Sequence, residues 1–307
     1  MLDIMKRAFS EGLEAPVSRR HALAGAGAAV AIAPSVIAPG AMAATTPLGD
    51  SFSAPTGRIE SRMMEFPDKV AKLNAEMRLY RELADEADVL LWYHFTMFVV
   101  AEGRKVEPLV RWEGIEFSRH KRVDTNIYMA HGHNASYPRD INTGAWVNDI
   151  VNPITKAMVK VPPTILTEDP GMLYGPEGKR PLNRKTPEFT PRYSLFRVED
   201  GLVKAEEIRV PPDGWFTPFI ETSHNWTPKA LFDDPKVARL PMGTSGGYVF
   251  PFPKWLEMGE IKGHMFAIWS GRKLDGVHQL PKEYYDRAQA EHPELLKIDA
   301  GKFAKAG

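Results

Sequence analysis

The sequence predicts a mainly β protein in which antiparallel strands form a barrel or a sandwich. Many short apolar segments, rich in aromatic and β-branched residues, follow one another between residues 90 and 269. Tight-turn sequences separate several of these segments, which is typical of hairpins. Apolar residues at helical spacing occur only near the two ends of the chain. These observations together favour an antiparallel sheet with terminal helices.

The first 43 residues have the features of an export signal. Arg19 and Arg20 precede a weakly apolar run of about a dozen residues, which is too short to cross a bilayer of about 30 Å. The small-residue sequence Ala41-Met42-Ala43 follows at the distance expected for a cleavage site. We therefore predict a signal over residues 1–43 that is read by the twin-arginine export machinery, and a periplasmic mature protein.

The rest of the chain is expected to form a mobile leader over residues 44–57 and a single β-rich domain over residues 58–307. Residues 59–87 carry apolar side chains near helical spacing, which predicts one or two amphipathic helices. The segment 90–100 is apolar on both faces and is predicted to be a central strand. Further strands are predicted at 109–116, 125–133, 146–151, 157–161, 193–198, 202–210, 216–222, 247–252 and 264–269.

Turn sequences set the connections between these strands. Asp200-Gly201 predicts a hairpin because both residue types tolerate the positive φ angles of a type I′ turn. Asn152-Pro153 predicts another turn. The Pro- and Gly-rich segment 162–191 is expected to be a lid or a crossover loop.

Pro281 is suited to the first turn of a helix and predicts a C-terminal helix from that position. The expected architecture is calycin-like, with a helical N-terminal extension and this C-terminal helix. The alternative is an α+β fold in which a cone-shaped sheet packs against helices.

The composition excludes several classes of protein. Lysine and arginine number 39 and aspartate and glutamate also 39, so no basic excess favours a nucleic-acid partner. Without cysteine, the chain cannot hold iron–sulfur clusters, c-type haem or zinc–thiolate sites, and it has no cysteine nucleophile. No second apolar run is long enough for a membrane helix, so we expect no membrane span in the mature protein.

Several short motifs resemble one known family. They are Arg111-Trp112-Glu113-Gly114, Gly132-His133-Asn134, Asn152-Pro153-Ile154-Thr155, Asp169-Pro170 and Gly271-Arg272-Lys273-Leu274. With the tail from residue 255 to 281, they resemble the bacterial family named domain of unknown function 1838 over most of the mature chain. The resemblance implies an exported protein of unsettled activity and supplies no catalytic residues.

His131 and His133 are candidate metal ligands. Strand geometry gives them the same face, about 6.5–7 Å apart, a spacing that two ligands of one metal can use. A catalytic metal normally needs a third protein ligand, and the sequence does not select one. We expect no cofactor. The metal alternative would make the protein a metal-dependent oxygenase or hydrolase.

A proton-transfer site explains the histidines and their charged neighbours better than a metal site does. His94 lies mid-strand among aromatic residues, where desolvation disfavours the charged ring and leaves a neutral base. Ionisable residues on neighbouring strands are costly to bury unless they pair around a site. The predicted catalytic set is His94, Arg111, Glu113, His131, His133, Arg139 and Asp140.

Seven tryptophans fall in or beside the predicted strands, where they either fill the core or line an apolar pocket. The predicted ligand-binding residues are Trp92, Trp112, Asn134, Tyr248 and Trp269. Residues 243–247 match the G-x-S-x-G pattern of a nucleophile elbow, but Pro241 and Pro251 flank them where the elbow requires a strand and a helix. A serine hydrolase is therefore not assigned on this pattern.

The predicted function is acid–base chemistry of the lyase, hydratase or isomerase type, without a redox cofactor. The predicted substrate is a hydrophobic aromatic or terpenoid small molecule held in an aromatic-lined pocket. The competing class is a non-catalytic periplasmic carrier of such a ligand. In the predicted enzyme, His94 and His131 face one apolar cavity from neighbouring strands, and one accepts a proton that the other, or Glu113, returns.

Overall fold

The computed structural model describes residues 59–181, 193–209 and 220–298. The predicted signal and leader, residues 1–57, lie outside these ranges. The strands are β1 Ser61–Met63, β2 Asp88–Ala101, β3 Glu107–Asp124, β4 Ile127–Arg139, β5 Asp149–Val151, β6 Met158–Lys160, β7 Thr164–Gly175, β8 Gly178–Pro181, β9 Tyr193–Glu199, β10 Leu202–Arg209, β11 Ile220–Pro228, β12 Gly243–Phe250 and β13 Gly263–Leu274. The helices are α1 Lys69–Tyr80, α2 Lys229–Asp233 and α3 Lys282–Glu291, with 3₁₀ turns at Lys254–Leu256, Val277–Gln279 and Pro293–Leu296.

Eleven of the strands form one antiparallel sheet, which confirms the prediction of a mainly β, antiparallel fold. The strand order is β1-β9-β10-β11-β12-β13-β2-β3-β4-β7-β8, and β5 pairs with β6 separately. β9 and β10 form the hairpin predicted at Asp200-Gly201, where the φ angles are +49° and +75°. Within the described ranges no helix has the length and apolar character that a membrane span requires.

Helix α1 packs on one face of the sheet, which we call the inner face. The helix begins after Asp68, whose carboxylate accepts a hydrogen bond from the backbone N–H of Ala71 at 2.8 Å. Its buried Met77 clusters with Tyr128 of β4, and its buried Leu79 clusters with Phe196 of β9. One helix therefore packs against strands from both halves of the sheet.

Helix α3 packs on the opposite face, which we call the outer face. Tyr284 of α3 is fully buried among side chains of β2, β3 and β4, including Leu90, Ile115 and Tyr137. The Tyr284 hydroxyl donates a hydrogen bond to the carbonyl oxygen of Ala135 at 2.7 Å. The middle strands are thus covered on both faces, which explains why β2 is apolar on both.

The expectation of a loop over residues 162–191 is wrong for residues 164–181, which form the antiparallel hairpin β7–β8. Gly175 and Gly178 mark its turn, and Gly178 has a φ of +112°, which favours glycine. The glycines therefore punctuate a hairpin, and residues 182–191 lie outside the described ranges.

The prediction of one or two helices over residues 59–87 is partly wrong. Strand β1 occupies Ser61–Met63 and pairs with β9, and one helix of 12 residues follows. Strand β4 is also longer than predicted and continues to Arg139. Its polar residues resemble a loop in the sequence, but Asn134 and Ser136 are buried because both faces of this strand are covered.

Candidate functional site

The structure divides the predicted site residues between the two faces of the sheet. The outer face carries Trp92, His94, Arg111, Glu113, His131, His133 and Arg139. The inner face carries Trp112, Asn134, Tyr248 and Trp269. Away from the ends of the strands, residues on opposite faces of one sheet cannot line a common pocket, because the sheet lies between them. The structure therefore does not bring the predicted histidines and most of the predicted aromatic residues together.

The inner-face residues are parts of the hydrophobic core. Trp112 stacks on Phe95, with ring centroids 5.9 Å apart and planes 10° apart. Tyr248 contacts Phe95 at 6.0 Å in an edge-on arrangement. The Tyr93 hydroxyl donates a hydrogen bond to Asn134 Oδ1, and burial raises the pKa of Tyr93. Core packing and internal hydrogen bonding account for these residues without a ligand.

His133 has a structural partner. Its Nε2 is hydrogen-bonded to the carbonyl oxygen of Leu295, so this nitrogen carries the proton and donates. The ring also contacts Phe117 edge-on at 5.7 Å. Across the described ranges, no group of three or more His, Cys, Asp or Glu side chains is arranged to hold a metal ion.

His131 lies far from His94 although both are on the outer face. His94 is opposite Glu113, and Glu113 is opposite Tyr137 of β4. His131 lies six positions away from Tyr137 on the same strand, which corresponds to about 20 Å at about 3.4 Å per residue. The two histidines therefore cannot act on one small molecule.

Arg139 and Asp140 stabilise the end of β4. The Arg139 guanidinium donates hydrogen bonds to Glu113 Oε2 at 2.8 Å and to Glu283 Oε2 at 3.0 Å, and it lies 3.5 Å from the centroid of the Trp146 ring. The Asp140 carboxylate accepts hydrogen bonds from the backbone N–H groups of residues 142 and 143 at 3.0 and 2.7 Å. These hydrogen bonds lower the pKa of Asp140. A turn-stabilising role accounts for Asp140.

His94 lies between two polar residues at the centre of the outer face. The strand register places Ser270 of β13 on one side of it and Glu113 of β3 on the other. Ser270 Oγ is 2.9 Å from His94 Nε2. When the ring is neutral with its proton on Nδ1, the Ser270 hydroxyl donates this hydrogen bond and Nε2 accepts it. The pair thus has the geometry of a base in contact with a hydroxyl.

The surroundings of His94 favour the neutral ring. Burial lowers the pKa of His94 below its ordinary 6.5, the Arg111 guanidinium lowers it further, and the Glu113 carboxylate raises it. Glu113 is itself held by Arg139 Nε at 2.8 Å and by Arg111 Nη2 at 3.3 Å. A neutral imidazole at pH 7 can accept a proton, and the arginines can stabilise nearby negative charge.

The His94–Ser270 pair is part of a row of polar residues that crosses six strands. In order from β3 to β10, the register brings together Glu113, His94, Ser270, Ser245, His224 and Glu206. We call these six residues the polar row. Read from either end, it has the same order of acid, imidazole and hydroxyl groups. Neighbouring members lie on strands about 4.8 Å apart.

The two halves of the polar row differ in exposure. The Glu113 side chain is 12% exposed, whereas the side chains of His224 and Glu206 are 55% and 25% exposed. His224 Nδ1 and Glu206 Oε1 are 3.9 Å apart, a loose contact compared with that between Ser270 and His94. Electrostatic interactions are stronger where water is excluded, so the half with His94 is better suited to catalysis.

Apolar side chains flank the polar row on the outer face. Trp92 lies two positions from His94 and contacts Tyr284 of α3 edge-on at 4.9 Å. On the other side, Phe98 and Phe266 have ring centroids 6.2 Å apart, and Ile268 is 52% exposed. This combination of polar groups and partly exposed apolar surface suits a ligand with an apolar body.

The G-x-S-x-G segment lies inside strand β12 and not in an elbow between a strand and a helix. Its glycines make room for aromatic rings. A Cβ atom at Gly246 would lie 2.7 Å from the Trp269 ring, and one at Gly243 would lie 2.4 Å from the Trp226 ring. The segment thus contributes Ser245 to the polar row and close packing to the sheet.

Sequence reasoning missed Ser270, Ser245, His224 and Glu206. Each is one polar residue within a strand, and no local pattern connects it with His94. Ser270 and His94 are 176 residues apart in the chain, and the register between β13 and β2 alone makes them neighbours. One sequence signal is that Ser270 and Arg272 alternate along the same strand, which places both polar side chains on one face.

Comparisons with known proteins assign no family. No family model matches the chain, and no curated protein matches it. The chain is similar to the crystal structure of Rv2717c from M. tuberculosis, at 10% sequence identity and a TM-score of 0.16, over 58% of this chain and 89% of that chain. A likeness of this size carries no argument about function.

Proposed function

We propose that this protein is an exported acid–base enzyme whose catalytic centre is the His94 half of the polar row. The observation that carries the proposal is the 2.9 Å contact between His94 Nε2 and Ser270 Oγ on the partly exposed outer face. The lowered pKa of His94 supports a base that is neutral at pH 7.

The chemistry uses each neighbour of His94 in a separate role. His94 Nε2 accepts a proton from the substrate, either directly or through the Ser270 hydroxyl, and returns it later in the reaction. The Arg111 side chain is 42% exposed, so it can reach a substrate and stabilise the negative charge that develops there. Glu113 stabilises the imidazolium that forms after proton transfer, since its carboxylate raises the pKa of His94.

The proposed reaction is a lyase, hydratase or isomerase step on a molecule with an apolar body. The flanking Trp92, Phe98, Phe266 and Ile268 support such a substrate, and they replace the inner-face aromatic residues in this role. Export through the twin-arginine machinery and membership of the domain of unknown function 1838 family are part of the same proposal, supported by the sequence motifs described above.

Acyl transfer to Ser270 is a second candidate. The strand register places Glu113, His94 and Ser270 in the order acid, imidazole and hydroxyl, and these are the kinds of group that activate a catalytic serine. In this reaction Ser270 Oγ attacks a carbonyl carbon and its proton passes to His94 Nε2. The imidazolium then gives that proton to the leaving group, and water hydrolyses the acyl-enzyme.

One set of variants tests both candidates. Native mass spectrometry of protein purified from the producing cell identifies a co-purified ligand, and its conversion is then followed for wild type, His94→Gln and Ser270→Ala. We expect His94→Gln to lower turnover roughly a hundredfold or more. His264→Gln, on the same face of β13 but six positions from Ser270, is the matched control and should retain wild-type turnover.

The serine variant separates the two reactions. If Ser270 only relays a proton, Ser270→Ala keeps part of the turnover, and a fluorophosphonate probe does not label the protein. Labelling of wild type that is lost in Ser270→Ala and His94→Gln would establish acyl transfer. A ligand that is recovered unchanged under all conditions, with equal affinity in every variant, would identify a carrier and overturn both candidates.

A further inference from the structure

A cavity of about 550 Å³ opens where β13 ends, between residues 239–241 and 272–275. Three cationic residues line it, namely Arg239, Arg272 and Lys273. Asp275 is the one acidic residue among those that line it. The volume is within the range of small-molecule sites in proteins, about 300–1,000 Å³. Its positive charge makes this cavity distinct from the polar row.

Lys273 is a largely buried basic residue that is held in place by the end of α1. Its Nζ donates hydrogen bonds to the carbonyl oxygens of Arg78 at 3.3 Å, Arg81 at 3.0 Å and Leu79. Burial, together with the neighbouring Arg239 and Arg81 guanidinium groups, lowers the pKa of Lys273 to about 7, and the Glu82 carboxylate acts in the opposite direction. No carboxylate of a described residue forms an ion pair with Lys273. An anion in the cavity would favour the protonated form of Lys273 and would be attracted by it.

Arg239 and Arg272 have unused donor capacity. Arg239 donates hydrogen bonds to the carbonyl oxygens of Asp88 at 3.1 Å and of Leu274, and Nη1 lies 3.6 Å from Glu82 Oε2. Its Nε is buried without a hydrogen-bond partner among the described residues. Arg272 is exposed and has no ion pair within the described ranges.

Asp275 does not balance the three basic residues that line the cavity, so the lining has more basic than acidic side chains. Its carboxylate accepts a hydrogen bond from Gln279 Nε2 at 3.2 Å, and the backbone N–H of Asp275 donates to Gln279 Oε1 at 2.9 Å. These contacts hold the carboxylate beside the 3₁₀ turn. Guanidinium groups with free N–H donors are the protein groups that best fit carboxylate and phosphate oxygens.

We propose that this cavity is a binding site for the oxyanion group of a small organic molecule, either a carboxylate or a phosphate monoester. Arg272 and Arg239 bind the oxygens, Lys273 adds positive charge from behind, and the exposed Pro241 contacts the apolar part. The motif Gly271-Arg272-Lys273-Leu274 thereby acquires a function. Arg272 projects from the outer face, and Lys273 lies beneath it on the inner face.

The cavity lies beside the proposed catalytic centre. Arg272 is two positions from Ser270 on the same face of β13, which corresponds to about 6.5–7 Å along the strand. An anion held by Arg272 would place the body of the same molecule over Ser270 and His94. That the anion is part of the substrate rests on the proposed function, whereas anion binding by the cavity does not.

Calorimetric titration with phenyl phosphate, benzoate and inorganic phosphate tests the site in the full-length protein. We expect phenyl phosphate or benzoate to bind more tightly than inorganic phosphate, because the exposed Pro241 at the cavity can contact the ring. Arg272→Gln should weaken binding at least tenfold. Lys262→Gln removes an exposed cation just before the other end of β13 and should leave affinity within twofold.

The relative affinities for the three anions also identify the kind of anion that the cavity binds. The His94 variant tests whether anion binding is independent of the catalytic centre. Tighter binding of phenyl phosphate indicates a phosphate monoester, and tighter binding of benzoate indicates a carboxylate. Equal weakening by Arg272→Gln and Lys262→Gln, or no binding by wild type, would overturn the site. Because the Arg272 side chain is exposed, the Arg272→Gln variant should fold normally and have the circular dichroism spectrum of wild type. The His94→Gln variant should bind these anions with wild-type affinity. If it loses turnover but keeps anion binding, the two proposals are shown to be independent.

Discussion

His94 and Ser270 stand directly opposite each other on β2 and β13, with Nε2 and Oγ 2.9 Å apart. Glu113 lies opposite His94 on its other side, and Arg111 lies nearby on the same strand as Glu113. The charge state of the imidazole therefore depends on two neighbours of opposite sign. This dependence can be measured without a substrate.

Substitutions of the two neighbours should shift the pKa of His94 in opposite directions. Arg111 lowers this pKa, so Arg111→Gln should raise it, whereas Glu113 raises it, so Glu113→Gln should lower it. In wild type, the pKa should lie below 6.5 because burial is the largest effect. Titration of the His94 ring by NMR measures all three values. Shifts in the same direction for both variants would contradict this account of the site.

His120 should make the protein less stable in acid. The residue is fully buried, and burial together with the Arg81 guanidinium lowers its pKa to about 4. The Asp85 carboxylate and the backbone of Ala84 and Glu82 raise this pKa, yet neither ring nitrogen has a hydrogen bond of regular geometry to a described residue. Folding therefore requires the neutral ring.

Because the folded pKa is below the unfolded value, this contribution to stability is complete above pH 6.5 and is lost as the pH falls towards 4. Linkage gives a loss of about 3 kcal/mol over that window. Urea unfolding of wild type and His120→Leu at pH 7 and pH 4.5 measures it. The free energy of unfolding should fall less with acid in His120→Leu. Equal losses in the two proteins would show that His120 is not responsible.

Gly114→Ala should destabilise the fold. A Cβ atom at this position would lie 2.5 Å from Ser136 Cβ, 2.6 Å from the Ala135 carbonyl oxygen and 2.8 Å from the Tyr93 hydroxyl. Two of these neighbours are fixed in strand β4, so we expect a loss of about 2 kcal/mol or more in thermal or urea unfolding. Gly175→Ala is the control, since its nearest contact is an ordinary 3.8 Å.

Replacement of Arg19 and Arg20 by lysine should block export. The export receptor reads the arginine pair and not positive charge alone, so the double variant should remain in the cytoplasm as an uncleaved precursor. Cell fractionation followed by intact-mass measurement checks the location and the cleavage after Ala43. A wild-type periplasmic yield from the double variant would remove the basis for the periplasmic assignment.

Local patterns in the sequence predicted the local features of this fold. The apolar character of 90–100 predicted a central strand, and Asp200-Gly201 predicted the β9–β10 hairpin, because both depend on a few adjacent residues. The face on which a residue lies depends on the register with strands far away in the chain. The sequence therefore predicts one pocket for His94 and Trp112, although they lie on opposite faces. For the same reason the sequence alone does not link Ser270 with His94.

The pairing of β2 with β13 also determines when the sheet can be completed during synthesis. β2 emerges early from the ribosome, but the partner of His94 is 176 residues further along. Until β13 follows, one edge of this long apolar strand is open, and an unpaired apolar edge invites aggregation. A chain truncated before residue 263 would retain that open edge permanently. Folding of the complete chain should be slow, because its central contacts are non-local.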